Sequence, residues 1–430
     1  MCNQTSAGGR AEPIYMMNKH VFFLILLIAV FMCGCSKDAP PQPDPVTVKE
    51  IKLDKTTLPL NVGETGQLTA TVLPENADDK TVAWKSDDER VATVSKTGLV
   101  TAVAEGGATI TATAGGKKAT CTVTITDPDN ITAAFDPEFA RVLEEKGYIP
   151  DAAHITLADV QDIEAIDVSS TSSNPGPLAS LKGIEHFGSL KTLRCDYNQL
   201  TALDVSKNTA LKTLSCSSNQ LTELDISKNT VLKELLCDDN KLTSLDVSKN
   251  TALGSLNCDN NQLTSLDVSK NTALVYLYCS SNQLTSLDVS GATALWILNC
   301  GNNQLTSLDV SKNTALLLLD CYSNQLTSLE ISGATALVYL NCDNNQLTSL
   351  DVSGATALVY LYCSSNQLTS LDVSKNTALE YLQCNNNPGN GSGVFPVTAW
   401  FGNDAVPANF TTGSWQYNGQ PVTIDYRKAE

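Results

Sequence analysis

Between Leu190 and Asn387 apolar residues return to the same offsets every 21 residues, without an insertion. One unit reads Leu211-Lys-Thr-Leu-Ser-Cys-Ser-Ser-Asn-Gln-Leu-Thr-Glu-Leu-Asp-Ile-Ser-Lys-Asn-Thr-Val. Cys195, Cys216, Cys237, Cys258, Cys279, Cys300, Cys321, Cys342, Cys363 and Cys384 fix the register, and an asparagine stands three residues after each, from Asn198 to Asn387. Leu214 and Cys216 alternate with Thr213 and Ser215, which predicts a short strand with its even-numbered residues inward. Leu221, Leu224 and Ile226 return the chain through the core on the other side. Coils stacked in parallel at about 4.8 Å predict a sheet roughly 45–50 Å long. A single coil exposes both flat faces, so stability has to come from stacking. The asparagines are expected to form a ladder that bonds backbone groups freed where each strand turns away.

Nine full copies of L-x-x-L-x-L-x-x-N-x-L and a tenth that keeps it as far as Asn387, all with cysteine in the third leucine place, resemble the leucine-rich-repeat signature. The resemblance implies strands that line a concave side, where partners usually bind. An open solenoid edge needs covering. Asp136-Pro137 predicts a helix over residues 138–146, with an aspartate N-cap and proline at N1. Ile155-Thr-Leu-Ala-Asp-Val, Ile163-Glu-Ala-Ile-Asp-Val and the run from Leu181 to Leu190 read as degenerate first coils and resemble the start of internalin-type repeat domains. At the far end, residues 394–426 read as short strands and turns whose Trp400, Phe401, Phe410, Trp415 and Tyr417 cover the last coil.

Residues 46–126 alternate apolar and polar positions over short runs, among them Val48-Lys-Glu-Ile-Lys-Leu, Gln67-Leu-Thr-Ala-Thr-Val and Val82-Ala-Trp-Lys. Turn chemistry at Gly63, Gly98 and Gly115-Gly116 separates such runs. Six or seven strands in about eighty residues predict a β-sandwich. Leu58-Pro-Leu-Asn-Val-Gly-Glu-Thr, Val82-Ala-Trp-Lys-Ser-Asp-Asp, Val91-Ala-Thr-Val-Ser and Gly98-Leu-Val-Thr-Ala-Val-Ala-Glu-Gly resemble the group 2 bacterial immunoglobulin-like domain, which is usually a spacer in surface proteins. Trp84 is expected between the sheets, and Cys121 has no partner in the domain.

Ahead of this domain, Lys19 and the apolar run from Val21 to Met32 fit a signal peptide, too short to span a bilayer comfortably. Met32-Cys33-Gly34-Cys35 then resembles a bacterial lipoprotein signal, which makes Cys35 the acylated residue; Cys33, after bulky Met32, is the weaker choice. An ordinary cleaved signal or an uncleaved anchor is the alternative. Ser36 after the cysteine implies, by the same resemblance, delivery to an outer membrane. Residues 37–45 form a proline-rich spacer. The organisation is therefore 1–35 upstream residues and signal, 36–45 linker, 46–126 immunoglobulin-like domain, 127–189 N-terminal cap and degenerate repeats, 190–387 leucine-rich repeats, and 388–430 C-terminal cap. The fold class is mainly β, a sandwich followed by a solenoid.

A formal net charge of −18 argues against a nucleic-acid partner. Only His20, His154 and His186 occur, and no HExxH, GxSxG, phosphate loop or paired-carboxylate cleft is present, so no enzyme and no cofactor are expected. The inward cysteines, one per coil, suit a narrow core as small apolar residues and are expected to be free thiols. Asp204, Asp225, Asp246, Asp267, Asp288, Asp309, Glu330, Asp351 and Asp372 form an outward row, solvated rather than calcium-bridged. Lysines three residues on offset it, except at Gly291, Gly333 and Gly354.

On the outward strand positions, early coils present Arg194, Ser215, Glu234 and Asp238. Later coils present Tyr276, Tyr278, Tyr339, Tyr360, Tyr362 and Tyr381, with Tyr322 beside them. Exposed tyrosines suit protein interfaces and sugar stacking alike. The expected partner is a protein or glycan of a host or neighbouring cell, with the membrane met only through the lipid anchor. Residues 273–290 and 357–374 are identical, however, so the tyrosines are open to a second reading, as passengers of repeat copying. An adhesin or receptor and a structural surface-layer or spacer protein are the two resulting functions.

Overall fold

The computed structural model describes residues 42–430, which fall into two compact units that meet between Ile125 and Thr126. The expected signal peptide, Cys33 and Cys35 lie outside the described residues. Among those described, no helix is long and apolar enough to cross a membrane.

In the first unit, Thr57–Asn61, Lys117–Thr126, Gly106–Ala114 and Ala83–Ser86 make one four-stranded sheet in that order. Thr65–Gln67, Leu99–Ala102 and Ala92–Val94 make a second, and Glu50–Leu53 pairs with Ala70–Leu73. Alternating residues of the long hairpin, such as Ile110 opposite Cys121, are fully buried between the layers. Half-buried Trp84 packs against both apolar clusters of the sandwich. The run beginning at Gln67 is not one strand, as its alternation suggested. It breaks at Leu68, which drops into the core with no exposed surface, and Thr69, whose N–H donates to Asp54 Oδ1 at 2.7 Å. The two halves then join different sheets, and the strand total rises to nine.

The second unit is built on one parallel sheet of 11 strands. Ten are the repeat strands, from Thr192–Arg194 to Tyr381–Gln383; the extra one, Ala165–Asp167, comes from the degenerate Ile163 run. From Thr192 onward each strand pairs with the residues 21 places later, so every row of side chains runs straight along the sheet. Leu214, Cys216, Leu221 and Ile226 and their equivalents are buried to within one per cent, and each leucine contributes roughly 1.5–3 kcal/mol.

Two asparagine ladders lock the coils together. In the first, Asn261 Nδ2 donates to the carbonyls of Cys258 and Asp259 in its own coil and of Cys237 one coil back, at 3.0–3.2 Å. Its Oδ1 accepts from Leu242 N–H at 2.9 Å, so every polar atom of the side chain is used. The chain admits this side chain by turning sharply just before it. The residue two past each cysteine is left-handed, with φ between 51° and 59° from Tyr197 to Asn386, and four of these ten residues are asparagine.

The second ladder was not anticipated. Asn208, Asn229, Asn250, Asn271, Asn313 and Asn376 are fully buried, and each Nδ2 bridges two carbonyls of the preceding coil. Their Oδ1 atoms have no partner. Where this asparagine is absent, at Ala292, Ala334 and Ala355, the lysine before it is also absent, replaced by Gly291, Gly333 and Gly354.

Both ends are closed as the alternation at the termini indicated. Helix Pro137–Glu145 starts at Asp136, whose Oδ1 accepts from Glu138 and Phe139 N–H, and its Phe139 packs with Phe135 and Phe187 over the first coil. At the other end, Val394–Ala399, Gln420–Lys428 and Ser414–Tyr417 extend the Leu371–Asp372 strand into a small sheet. Thr411 closes the edge of the last repeat strand: its N–H donates to Leu382 O at 2.8 Å, and its hydroxyl accepts from Cys384 N–H at 3.1 Å. Buried Phe401 and Phe410, with half-buried Trp400 and Trp415, pack into the common core.

Candidate binding surface

Because the strand pairing is in register, residues three before each cysteine form one row on the outward face. In the later coils that row reads Tyr276, Ile297, Leu318, Tyr339, Tyr360 and Tyr381. Six strands at about 4.8 Å make it roughly 24 Å long. All six side chains are half-buried or exposed, since the alternating residues between them fill the core. Three of the tyrosines touch in sequence: Tyr339 and Tyr360 ring centroids lie 6.2 Å apart, and Tyr360 and Tyr381 stack at 4.9 Å. Tyr362, one row over, approaches Tyr339 to 5.5 Å. Tyr339, Tyr360, Tyr362 and Tyr381 are thus one contiguous cluster.

Tyr276 and Tyr278 stand apart from that cluster, separated by the Ile297 and Leu318 coils. Tyr322 is held down rather than displayed. Its ring covers Gly301, where a Cβ would come within 2.3 Å of it, and its hydroxyl accepts from Asn302 Nδ2 at 2.7 Å. Among the early positions, Arg194 is exposed and Glu234 and Asp238 are half-buried, but Ser215 is 4% exposed. Its hydroxyl turns down to donate to Asp196 Oδ1 at 2.6 Å, which removes it from the presented surface.

Two further rows flank the strands, and of their residues only Asp238 was expected on the surface. Immediately before the strands stand Val275, Trp296, Leu317, Val338 and Val359, of which Trp296 and Leu317 are 48% and 42% exposed. The signal was present: the same position holds Lys191, Lys212 and Lys233 in the early coils, so the shift from lysine to large apolar residues marks the later coils as different. On the other flank lie half-buried carboxylates, Asp238, Asp259 and Asp343, each one residue past its cysteine, with Asp320 at the end of its own strand. Burial pushes Asp259 and Asp343 up to about 6, and raises Asp238 and Asp320 above the ordinary carboxylate range. Asp343 Oδ1 accepts from Ser364 N–H, while Asp320 Oδ1 has no hydrogen-bond partner. Burial and the neighbouring Asp320 carboxylate raise the Tyr339 phenol.

The cysteines of the ladder are free and buried, and burial lifts every one of these thiols, Cys384 to about 12 and the others further. Several thiols point at the carbonyl ending the next strand, as Cys195 Sγ does at Ser215 O, 3.3 Å away. The outward acid row has a local task. Asp204 Oδ1 accepts from Ser206 N–H at 2.8 Å, and the same turn recurs at each member through Asp372. From Asp204 to Asp351 these bonds hold the carboxylates below their usual range. Among the described residues no group of three or more metal-ligating side chains is placed to hold an ion.

An immunoglobulin-like sandwich followed by a capped leucine-rich-repeat solenoid with a cysteine ladder is the class of protein these observations define. Residues 47–123 match the bacterial Ig-like domain (group 2) family. The chain is similar to the functional domain of InlJ from Listeria monocytogenes, which includes a cysteine ladder, at 37% identity over 60% of each chain with a TM-score of 0.47. It is also similar to a leucine-rich-repeat protein of Leptospira interrogans (26% identity, 49% of this chain and 62% of that one, TM-score 0.42). A third likeness is to YopM, a leucine-rich effector protein from Yersinia pestis (28% identity, 46% and 62%, TM-score 0.39). The chain therefore spans about three-fifths of the length of these proteins. No curated protein matches it.

Proposed function

We propose that this chain is a cell-surface binding protein, of adhesin or receptor type, that recognises a protein or glycan on the strand face of its later coils. The carrying observation is the contiguous cluster of Tyr339, Tyr360, Tyr362 and Tyr381, set on a rigid sheet and left half-exposed. Tyrosine presents a large amphipathic surface with only two side-chain torsions to immobilise, which suits it to recognition. The surface needs no cofactor and no reaction.

The anchoring part of this reading rests on the Cys33-Gly34-Cys35 sequence alone. In it, Cys35 carries the lipid, the proline-rich linker and the immunoglobulin-like domain act as a spacer, and the solenoid is presented outside the outer membrane. Incorporation of labelled palmitate into the chain, and its loss in Cys35→Ala but not Cys33→Ala, is the expected result.

Binding of the whole chain to arrays of glycans and cell-surface proteins tests the rest, beside a variant with Tyr339, Tyr360, Tyr362 and Tyr381 changed to Ala. A signal abolished in the variant supports a receptor. Silence from both, with melting unchanged, favours the spacer reading. That second reading is motivated by the identity of residues 273–290 and 357–374.

A further inference from the structure

Resting on the reading above, we infer that the strand face takes a polypeptide rather than a glycan, and specifically a segment in which lysine or arginine alternates with aliphatic residues. The apolar row decides between the two classes. Trp296 and Leu317, flanked by Val275, Val338 and Val359, present an unbroken strip of aliphatic and indole surface over five coils. Sugar hydroxyls laid on that strip lose water without gaining a hydrogen bond, which is unfavourable. Leucine, isoleucine or valine side chains of a peptide lose only apolar hydration there, which is favourable.

Charge decides the rest. From Gly254 to Asn386, the strands and the residues flanking them carry no lysine or arginine; the lysines of these coils, Lys270, Lys312 and Lys375, stand in the turns that follow the acid row. The same face carries Asp259, Asp320 and Asp343 with no cation opposite them. Asp320 Oδ1 is shielded from solvent without a hydrogen-bond partner, while the Tyr322 backbone N–H faces the same carboxylate. Tyr339 stands on the strand paired with that of Asp320, whose carboxylate bears on its phenol, and the Tyr362 ring is 5.5 Å away. An ammonium or guanidinium group seated there meets carboxylates and tyrosine faces together, and a cation over an aromatic ring is attracted within about 6 Å. The early coils carry both signs, with Lys191, Lys212, Lys233 and Arg194 beside Asp196, Glu234 and Asp238, so the partner's charge is specified for the later coils alone.

The outward row from Tyr276 to Tyr381 beside this strip is about 24 Å long, which an extended peptide of about eight residues spans. Three synthetic peptides of that length serve as probes on the immobilised full chain: alternating Lys/Leu, Glu/Leu and Lys/Ser. The Lys/Leu peptide is expected to bind at least about tenfold more tightly than either of the others, because both of its features are used. Asp320→Asn with Asp343→Asn, and separately Leu317→Ser, should each weaken it by about tenfold or more. Asp225→Asn with Asp246→Asn, an equal charge change on the outward acid row, should not.

Equal binding of Glu/Leu and Lys/Leu peptides would overturn the inference by reducing the face to unspecific apolar contact. Equal loss in the Asp225/Asp246 control would overturn it as a consequence of net charge. A glycan that binds through the tyrosines while no peptide does would overturn it yet leave the strand-face reading standing. A Lys/Leu peptide that binds equally well after every strand-face substitution would sink both.

Discussion

Gly333 lies over the backbone of Ser311, one coil earlier, so closely that a Cβ would sit 1.9 Å from the Ser311 carbonyl oxygen. Gly291 and Gly354 repeat the relationship over Ser269 and Ser332, at 2.5 Å. In each case the next residue is a buried alanine where other coils carry the second-ladder asparagine. Asn313 bridges two carbonyls of the preceding coil, whereas at the alanine coils that bridge is missing and the glycine before it lies against the preceding backbone, where no side chain fits without a shift.

Gly333→Ala should therefore lower stability by about 1–3 kcal/mol, the ordinary cost of overpacking a close contact. Gly333→Lys combined with Ala334→Asn rebuilds the arrangement seen at Lys312-Asn313 and should recover more than half of the loss. Denaturant unfolding of the single and double variants measures the coupling. A double variant less stable than Gly333→Ala would refute the pairing.

The two ladders should differ in energetic weight. Asn261→Ala strands the Leu242 N–H in the core and leaves the Cys237 carbonyl with only its bond from Asn240 Nδ2, at a cost of about 2–3 kcal/mol. Asn250→Ala loses two donated bonds but also removes a buried, unpartnered Oδ1, and three coils already carry alanine there. Its cost should be about 1 kcal/mol. Equal destabilisation in thermal melts would remove the distinction.

Acidity acts on the two carboxylate rows with opposite sign. Asp259 and Asp343 have folded-state values raised to about 6 from an unfolded value of 3.8, so the folded chain holds more protons between these limits. Stability then falls as pH rises through that window. After allowance for solvent screening each site is worth about 1 kcal/mol. Asp204, Asp225 and Asp246 of the outward row are held below 3.8, so their stabilisation is present above that value and is lost as pH drops through their lower folded values. Melting temperature should thus be higher at pH 5 than at pH 7.5, and Asp259→Asn should raise it at pH 7.5 but not at pH 4. A melting temperature that is flat or rising from pH 5 to 7.5 would contradict the burial of these groups.

The repeat thiols should ignore alkylating reagents while the coils are closed. Reactivity belongs to the thiolate, and burial holds Cys279 and its equivalents far above their ordinary range. Mass spectrometry after native exposure to iodoacetamide should find them unmodified, and fully modified after unfolding. Partial labelling confined to Cys384 would instead report opening of the C-terminal cap, where Thr411 holds the last strand.

Which features were legible depended on how local their causes are. The 21-residue period, the inward Leu214 and Cys216, the Asn261 ladder and the Asp136 cap follow from spacing and side-chain chemistry within one coil, and they were readable. The burial of Asn250 was not, because Lys-Asn-Thr is ordinary turn sequence, and only the approach of the preceding coil encloses it. Ser215 sits on an outward position but bends to Asp196 across 19 residues, a partner no alternation reveals. Trp296 and Leu317 fall one place before the alternating strand, outside the positions whose direction the period-two rule assigns. The split at Leu68 has the same origin, since the choice of sheet is made by distant strands.

The ladders also bear on inheritance. Each coil bonds its predecessor through the same atoms, so removing whole 21-residue units leaves every remaining donor facing an equivalent acceptor, and both end covers stay in place. Residues 273–290 and 357–374 are identical and four coils apart. A recombination between their coding segments would excise Ile297, Leu318 and Tyr339 and return a shorter, fully bonded protein with Tyr276 followed directly by Tyr381. Such a lineage could change how far its recognition strip reaches in a single genetic event, with no intermediate that fails to fold.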